Sequence, residues 1–342
     1  MAGQAKPEWQ EPVPGFRYAE EEISVSLDFQ REKLRACGLE PSVFGTDVDP
    51  AFFIGLAIQA GIRSGISAEG NINMLQGLTM HKRPVLGQEL AVSGEILSVA
   101  NVPRGLRVET DVAFLSNDGD RVISARRVSL KPNMEAVSTK LGAGERPASL
   151  ISDVKELSMG GIMELTPQAV RDYSVEGNSI HYEEEAAARA GFRAPIIGGG
   201  MGVHYLTHAI WSKRTPTFFD ADIFFRRPIF WDEKLRIGVS KEQFVSETKM
   251  AVVKDSLPEQ KIGTEMLLKM IEWDQPGGIL TFAVPNTLVS SFSFLIVISS
   301  STNASSSSIS VTTALMIAGV SASIGARNTV SMFCICPSGA HL

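Results

Sequence analysis

The sequence lacks charge at its C-terminal end. Residues 275–342 contain one charged side chain, Arg327, whereas the whole chain has 32 Lys and Arg and 38 Asp and Glu. These 68 residues include 15 serines and neither Trp nor Tyr. Because this composition differs so much from that of the body, we predict that the folded domains lie within residues 1–274. The tail, residues 275–342, is expected to be disordered or loosely structured.

Cysteine is also scarce, with three residues in 342. Three cysteines cannot form a disulfide framework in a chain of this length, which favours a reducing compartment. Cys37 is interpreted as structural, and the Cys334-Ile335-Cys336 segment lacks the further ligands that a metal site needs. The cysteines therefore give little indication of a metal site, and separately we expect neither a metal nor a redox cofactor.

Long apolar runs and an excess of basic residues are missing too. No segment of the body has the roughly 18 uninterrupted apolar residues of a membrane span. The net charge of −6 argues against a nucleic-acid partner. The N-terminus, with Glu8 and Glu11, does not resemble a secretory signal. We expect a cytoplasmic protein, with the peroxisome as an alternative because the final Ala340-His341-Leu342 loosely fits a peroxisomal address.

The body repeats a pattern. Lys82-Arg83-Pro84-Val85 resembles Arg226-Arg227-Pro228-Ile229, and the two prolines are 144 residues apart, about one domain length. Each copy is followed by an alternating strand–turn–strand pattern that predicts a hairpin. The alternating segments are Leu106 to Phe114, Val122 to Leu130, Lys249 to Lys254 and Ile262 to Ile271.

Each copy also contains an apolar helical segment, Phe52 to Ile62 in the first and Met201 to Trp211 in the second. A helix this apolar is expected to be surrounded by protein, as when a sheet wraps around it. The fold class is therefore α+β, because the strands follow one another through hairpins. The predicted domains are residues 1–135 and 151–274, joined by a linker at 136–150.

One segment combines groups that can do chemistry. Glu176, Asn178 and His181 lie within six residues, in a loop rich in turn formers. A carboxylate and an imidazole held together can bind one water and share its protons, which is general acid–base catalysis. Downstream, Gly198-Gly199-Gly200 leads into the second apolar helix, whose free N–H groups could bind a developing oxyanion.

The segment from Tyr173 to His181 resembles the hydratase motif Ser-Gly-Asp-x-Asn-Pro-x-His of the MaoC-like dehydratases and (R)-specific enoyl-CoA hydratases. The downstream Ala-Gly-Phe and Pro-Ile stretches are similar to that family as well. The resemblance covers residues 171–211 most closely and does not extend to the tail. It implies a double hotdog, in which two curved antiparallel sheets each wrap a central helix and only one half carries the motif.

Carried over by position, the resemblance implies that Glu176 and His181 position a water for addition to the C2–C3 double bond of an enoyl thioester. Asn178 would orient the pair, and the N–H of Gly199 would hold the thioester oxygen. Glu176 stands where the family has Asp, which displaces the carboxylate by about 1 Å, and a displacement of that size can cost roughly 100-fold in rate. Val175 and Ser179 also replace the Gly and Pro of the motif, and Gly198 stands where a His is common.

Three functions remain open at this point: a hydratase or dehydratase of acyl thioesters, a hotdog thioesterase, and a non-catalytic protein that binds acyl-CoA or another small ligand. The expected partner is an acyl-CoA, and a homodimer is expected. Arg226 and Arg227 are candidates for binding the phosphates of coenzyme A, with solvated strand-edge charge as the equal alternative. His204 and His208 have a spacing that metal ligands can use, but we interpret them as core or interface residues.

Overall fold

The fold was analysed in a computed structural model. The structure describes residues 9–133, 147–174, 177–241, 244–256, 259–274, 296–299 and 310–313. Compactness divides the chain into two units, Met1–Asp274 and Gln275–Leu342. The finer division of the first unit at residues 135 and 151 stays a prediction.

Ten strands of the first unit form one antiparallel sheet. Its order is β1-β3-β4-β5-β2-β7-β10-β9-β8-β6. The strands are β1 Glu21–Ile23, β2 Ile72–Met80, β3 Leu90–Val102, β4 Gly105–Leu115, β5 Arg121–Pro132, β6 Leu157–Glu164, β7 Pro216–Phe225, β8 Lys234–Ser240, β9 Thr248–Lys254 and β10 Lys261–Trp273. Both predicted hairpins are confirmed, as β4–β5 and β9–β10.

The described helices are few and short. They are α1 Leu27–Ala36, α2 Phe52–Arg63, α3 Pro167–Tyr173, α4 Glu184–Arg189 and α5 Gly199–Lys213. Three single 3-10 turns accompany them, at Pro41–Phe44, Val154–Glu156 and Ser179–His181. The sheet therefore dominates the molecule, as the hairpin pattern predicts.

Helices α2 and α5 are the two apolar segments of the sequence. Helix α2 follows Asp49, whose Oδ1 accepts a hydrogen bond from the N–H of Ala51 at 3.0 Å and so satisfies a group that the helix leaves free. Helix α5 begins at Gly199, two residues before the predicted start, because Gly198 takes the extended N-cap conformation. Most of α5 is buried, including Met201, Tyr205 and Leu206. This burial explains why its sequence has no polar stripe.

The inner face of the sheet is the face that packs on these helices. In the first half, Phe114 of β4 meets Phe53 of α2 with ring centroids 4.8 Å apart. On β5, Ile123 pairs with Phe114 and Ala125 pairs with Val112, and both of these β5 residues are buried as well. Because side chains alternate along a strand, these positions identify every second residue as inward-facing.

Strands β2 and β7 join the two halves of the sheet. Gln76 pairs with Ile223 and Leu78 with Ala221 in antiparallel register. The hydroxyl of Thr79 donates to Asp220 Oδ1 at 2.9 Å on the other face. The seam is therefore continuous backbone pairing, and inner-face rows can be followed from one half into the other.

In the second unit the described backbone consists of two antiparallel strands, β11 Ile296–Ser299 and β12 Ser310–Thr313. The prediction that the tail is loosely structured falls mainly on residues outside those described. Within the described part of the chain, no helix has the length and apolar character that a membrane span requires.

Candidate active site

The candidate catalytic segment lies between α3 and α4. Helix α3 ends at Tyr173, and Gly177 adopts a φ of +75°, a conformation that favours glycine. Asn178 then starts the 3-10 turn that contains Ser179 and His181. The turn formers of the motif thus bring the amide of Asn178 and the imidazole of His181 close together along the chain.

His181 is held by the chain that returns toward α5. Its Nδ1 lies 2.8 Å from the carbonyl oxygen of Ile196, and Ile196 N–H donates back to the carbonyl of Ile180 at 3.2 Å. A carbonyl can only accept, so Nδ1 carries a proton, and in the neutral form of the ring Nε2 keeps its lone pair. The ring is 9% exposed. His181 is therefore oriented with Nε2 as a proton acceptor.

Asn178 is 7% exposed, and its Oδ1 is buried without a hydrogen-bond partner among the described residues. A buried acceptor left unsatisfied costs on the order of 1–3 kcal/mol. This oxygen is therefore available to a donor such as a water or a substrate hydroxyl.

Glu176 and the preceding Val175 lie outside the described residues. The role predicted for Glu176 stays a prediction from the sequence. Gly177 and Asn178, which follow it directly, do belong to the described loop.

Gly199 is the first residue of α5, where backbone N–H groups have no partner within the helix. A Cβ at this position would lie 2.9 Å from ring carbons of Phe225 and 3.3 Å from Nδ2 of Asn73. The glycine therefore lets Phe225 of β7 and Asn73 of β2 approach the helix N-terminus. The predicted oxyanion site lies at the seam between the two halves.

The first half also contacts the candidate catalytic segment. Ser179 donates its hydroxyl proton to Oε1 of Glu69 at 2.8 Å, and a Cβ on Gly177 would lie 4.0 Å from Cδ1 of Ile62. Burial raises the pKa of the Tyr182 phenol, and the negative charges of Glu183 and Glu69 add to that effect. Ser179, which replaces the proline of the resembled motif, thus connects the two halves.

The guanidinium of Arg226 is hydrogen-bonded to other groups of the protein. Its Nε donates to the buried Glu265 at 2.6 Å, and its Nη1 and Nη2 donate to the carbonyls of Pro147 and Ala148 at 2.8 and 2.7 Å. Arg227 is exposed, and its Nη1 donates to the Ile262 carbonyl. These contacts favour a structural role for Arg226, and binding of coenzyme A phosphates by either residue stays untested.

His204 forms a buried pair that the sequence analysis did not identify. Its Nδ1 lies 2.6 Å from Oδ2 of Asp49, and both side chains are 0% exposed. The pair connects α5 with the segment that starts α2. His208 instead lies 3.3 Å from the Ser212 hydroxyl. No group of three or more His, Cys, Asp or Glu suited to a metal occurs in the part of the chain that the structure describes.

Sequence reasoning also missed Glu69 as a neighbour of Ser179, and Asn73 and Phe225 as neighbours of Gly199. Glu69 follows the apolar helix of the first copy by a short loop, and no local pattern connects it with a residue 110 positions away. The described groups are an oriented imidazole at His181, a buried amide at Asn178 and the helix N-terminus at Gly199, and of these the imidazole can transfer a proton.

Comparison with known proteins gives information at the level of fold. No family model matches the chain, and no curated protein matches its sequence. Among solved structures, HtdX of Mycobacterium tuberculosis has 16% sequence identity and a TM-score of 0.60 over 73% of this chain and 98% of its own. A MaoC-like dehydratase from Phytophthora capsici has 14% identity and a TM-score of 0.56 over 75% of this chain and 96% of its own.

A third similar structure is a conserved hypothetical protein of Mycobacterium tuberculosis described as a double hotdog. It has 13% identity and a TM-score of 0.52, over 75% of this chain and 95% of its own. The chain has the double-hotdog fold. The fold predicted from the motif and the apolar helices is therefore confirmed, and α2 and α5 are the central helices of the two hotdogs.

Proposed function

We propose that the protein is a hydro-lyase that adds water to a 2-enoyl thioester, or removes it from a 3-hydroxyacyl thioester. The hydrogen bond between His181 Nδ1 and the Ile196 carbonyl supports this proposal most strongly. It leaves Nε2 as a base in a buried loop that also carries Asn178. Similarity to structures named MaoC-like dehydratase agrees with the proposal at the level of fold.

In the hydration direction, Nε2 of His181 removes a proton from water while the water oxygen bonds to C3. The electron pair of the double bond moves toward C2 and the thioester carbonyl, where the N–H of Gly199 stabilises the negative oxygen. The carboxyl group of Glu176 then gives a proton to C2 and recovers one from the His181 imidazolium. Dehydration follows the same steps in reverse.

Asn178 has a binding role in this scheme. Its buried Oδ1 accepts a hydrogen bond from the attacking water or, in the reverse direction, from the 3-hydroxyl group. Such a bond satisfies the amide oxygen and fixes the water near Nε2. The amide thus orients the reacting oxygen without exchanging a proton.

The test is the hydration of crotonyl-CoA and longer enoyl-CoAs, followed by loss of the enoyl-thioester absorbance and by mass spectrometry. Removing a general acid or base typically costs 10²–10⁴-fold, so His181→Gln and Glu176→Gln are each expected to lower kcat by about that factor. His81→Gln serves as the matched control, because His81 is an exposed histidine beside Ser124.

Two results would contradict the proposal. Release of free coenzyme A thiol without hydration would indicate the thioesterase, and tight acyl-CoA binding without turnover would indicate a binding protein. Equal rates for the wild type and His181→Gln would exclude the assigned base. The predicted homodimer and the peroxisomal alternative are separate questions, answered by light scattering and by the location of a tagged full-length chain.

A further inference from the structure

Two neighbouring arginines on β5 lie on opposite faces of the first hotdog. Arg126 points outward, where its Nε donates to Glu109 Oε1 at 2.7 Å. Arg127, the next residue, shares the inner face with Ala125 and Ile123, which are 1% and 0% exposed. Arg126 thus has a carboxylate partner on the outer face of the sheet, and Arg127 faces the central helix.

The inner-face neighbours of Arg127 are polar. Across the sheet it pairs with Gln76 of β2 on one side and with Thr110 of β4 on the other. Gln76 is 1% and Thr110 is 4% exposed. We call Gln76, Arg127 and Thr110 the polar row. A polar row in the interior is unusual, because the helix-facing side of a sheet normally provides apolar core.

Tyr18 covers this row from the helix side. A side chain at Gly94 of β3 would overlap the Tyr18 ring, and a Cβ at Gly61 of α2 would lie 3.0 Å from its hydroxyl. Tyr18 therefore lies between the sheet and α2. Burial raises the pKa of its phenol, although Arg127 and a hydrogen bond with Thr110 act in the opposite direction. The phenol is thus neutral at physiological pH and cannot balance the charge of Arg127.

Arg127 has no counter-charge among the described residues of the interior. Within the described ranges, no carboxylate lies at ion-pair distance from its guanidinium, and Tyr18 is the group with which it interacts electrostatically. Burial lowers the pKa of Arg127, but arginine stays protonated in proteins. A partly buried cation without a partner is costly, and an anion that binds beside it removes most of that cost.

The polar row is close to the candidate active site. Ser129 lies two residues beyond Arg127 on the same face of β5 and pairs with Asn73. Asn73 is the residue whose amide lies against Gly199. Two residues along a strand span about 7 Å, so Arg127 lies within reach of an acyl chain whose carbonyl is at Gly199.

We propose that Arg127 binds a carboxylate at the far end of the acyl chain, so that the substrate is a dicarboxylic acyl thioester. This inference rests on the proposed function, which places the thioester carbonyl at Gly199. Tyr18, Thr110 and Gln76 add neutral polar groups around the same carboxylate. The hotdog without the catalytic motif thus recognises the distal end of the substrate.

A phosphate of coenzyme A is the other anion that could reach an arginine. The acyl carboxylate fits better, because Arg127 lies on the helix-facing interior of the sheet and Tyr18 covers it. Phosphates keep a larger hydration shell and usually bind at accessible surfaces or at helix N-termini. The experiment below distinguishes the two sources.

Binding can be measured by calorimetry with saturated thioesters, which do not react in the proposed chemistry. Succinyl-, glutaryl- and adipyl-CoA are compared with butyryl-, valeryl- and hexanoyl-CoA, which match them in length. We expect at least one dicarboxylic ligand to bind about 10- to 100-fold more tightly than its neutral counterpart. Arg127→Met should abolish this preference and Arg127→Lys should restore part of it.

Arg126→Met is the matched control, since it removes an arginine from the same strand on the outer face, and it should retain the preference. Equal affinities of the two ligand series for the wild type would overturn the proposal. It would also be overturned if Arg127→Met weakened free coenzyme A as much as the dicarboxylic ligands, which would indicate a phosphate. Failure of the proposed hydration is seen separately, as lack of turnover with the unsaturated thioesters.

Discussion

In both hotdogs the inner face of the sheet packs on a central helix. The side chains on that face differ between the two hotdogs. Across the seam from Gln76, the row continues through Ile223, Met266 and Met250, each 0% exposed. In the first hotdog the same row is Gln76, Arg127 and Thr110.

The half with the candidate catalytic loop thus has an apolar interior row, and the half without that loop has a polar one. The loop of the second half contains His181, which its hydrogen bond to Ile196 orients, and the sequence predicts Glu176 as its partner in proton transfer. The first half supplies Arg127, a cation on the inner face that has no carboxylate partner among the described residues. We infer that the halves divide the work, the second carrying out the chemistry and the first recognising the end of the substrate.

The largest loss of stability is expected when a charge is introduced into the interior row of the second half. Met266→Arg would bury a cation in a position that is 0% exposed and surrounded by apolar residues. We expect a loss of about 3–5 kcal/mol in the free energy of unfolding, comparable to that of an unpaired buried charge. Urea denaturation followed by circular dichroism measures it.

Two further variants complete this comparison. Met270→Arg lies on the same strand at a position that is 48% exposed and should change stability by less than about 0.5 kcal/mol. Arg127→Met should be neutral or stabilising, because it removes a cation that has no carboxylate partner in the described part of the chain. A large loss of stability in Arg127→Met would show that Arg127 supports the fold. It would then count against the inference that the first half recognises the end of the substrate.

The next effect concerns the contact between the halves through Asp49 and His204. His204→Ala leaves a buried carboxylate without its partner, so we expect a loss of about 3 kcal/mol or somewhat more. The double variant Asp49→Asn, His204→Ala should be less destabilised than the sum of the single changes. His81→Ala, at an exposed position, is the control. Additive losses would contradict a direct interaction of the two side chains.

A smaller effect on stability, that of Glu265, depends on pH. Burial by itself would raise the pKa of Glu265, but hydrogen bonds from the Ser149 hydroxyl and the Leu150 N–H, together with Arg226, hold the pKa below its ordinary value. The carboxylate thereby stabilises the folded state above pH about 4.5, and this stabilisation is lost as the pH falls below that value.

Glu265→Gln should therefore lower the free energy of unfolding at pH 7 by roughly 1.5–3 kcal/mol, the usual value of a charged hydrogen bond. The difference from the wild type should shrink on acidification. Urea denaturation at several pH values tests this, with Glu272→Gln as an exposed control on the same strand. A difference that is independent of pH would show that the charge of Glu265 is not what stabilises the linker segment.

Local patterns in the sequence were sufficient to predict much of the fold. The alternation of Leu106 to Phe114 and of Val122 to Leu130 predicts the β4–β5 hairpin. The two apolar runs predict α2 and α5 to within two residues at their starts. Both signals come from neighbouring residues and need no knowledge of the rest of the chain. The motif around His181 is equally local, and it led to the double hotdog that the solved structures confirm.

Contacts between distant residues could not be predicted in this way. Asp49 and His204 are 155 residues apart, and nothing near His204 in the sequence indicates a carboxylate partner. The adjacent Arg126 and Arg127 look alike in the sequence, and only the strand register decides which one faces inward. An irregularity between Asn73 and Leu75 changes the alternation of β2, so the approach of Asn73 to Gly199 was not evident either.

The central claim is that the second hotdog carries out hydration with His181 as the base. Its most direct test is mass spectrometry of the product formed from a 2-enoyl-CoA by the wild type and by His181→Gln. We predict that the wild type gives a thioester heavier by one water and that the variant forms it at least about 100-fold more slowly. The same rate of formation in both proteins, or no hydrated product from the wild type with any enoyl-CoA of the neutral or dicarboxylic series, would contradict the claim.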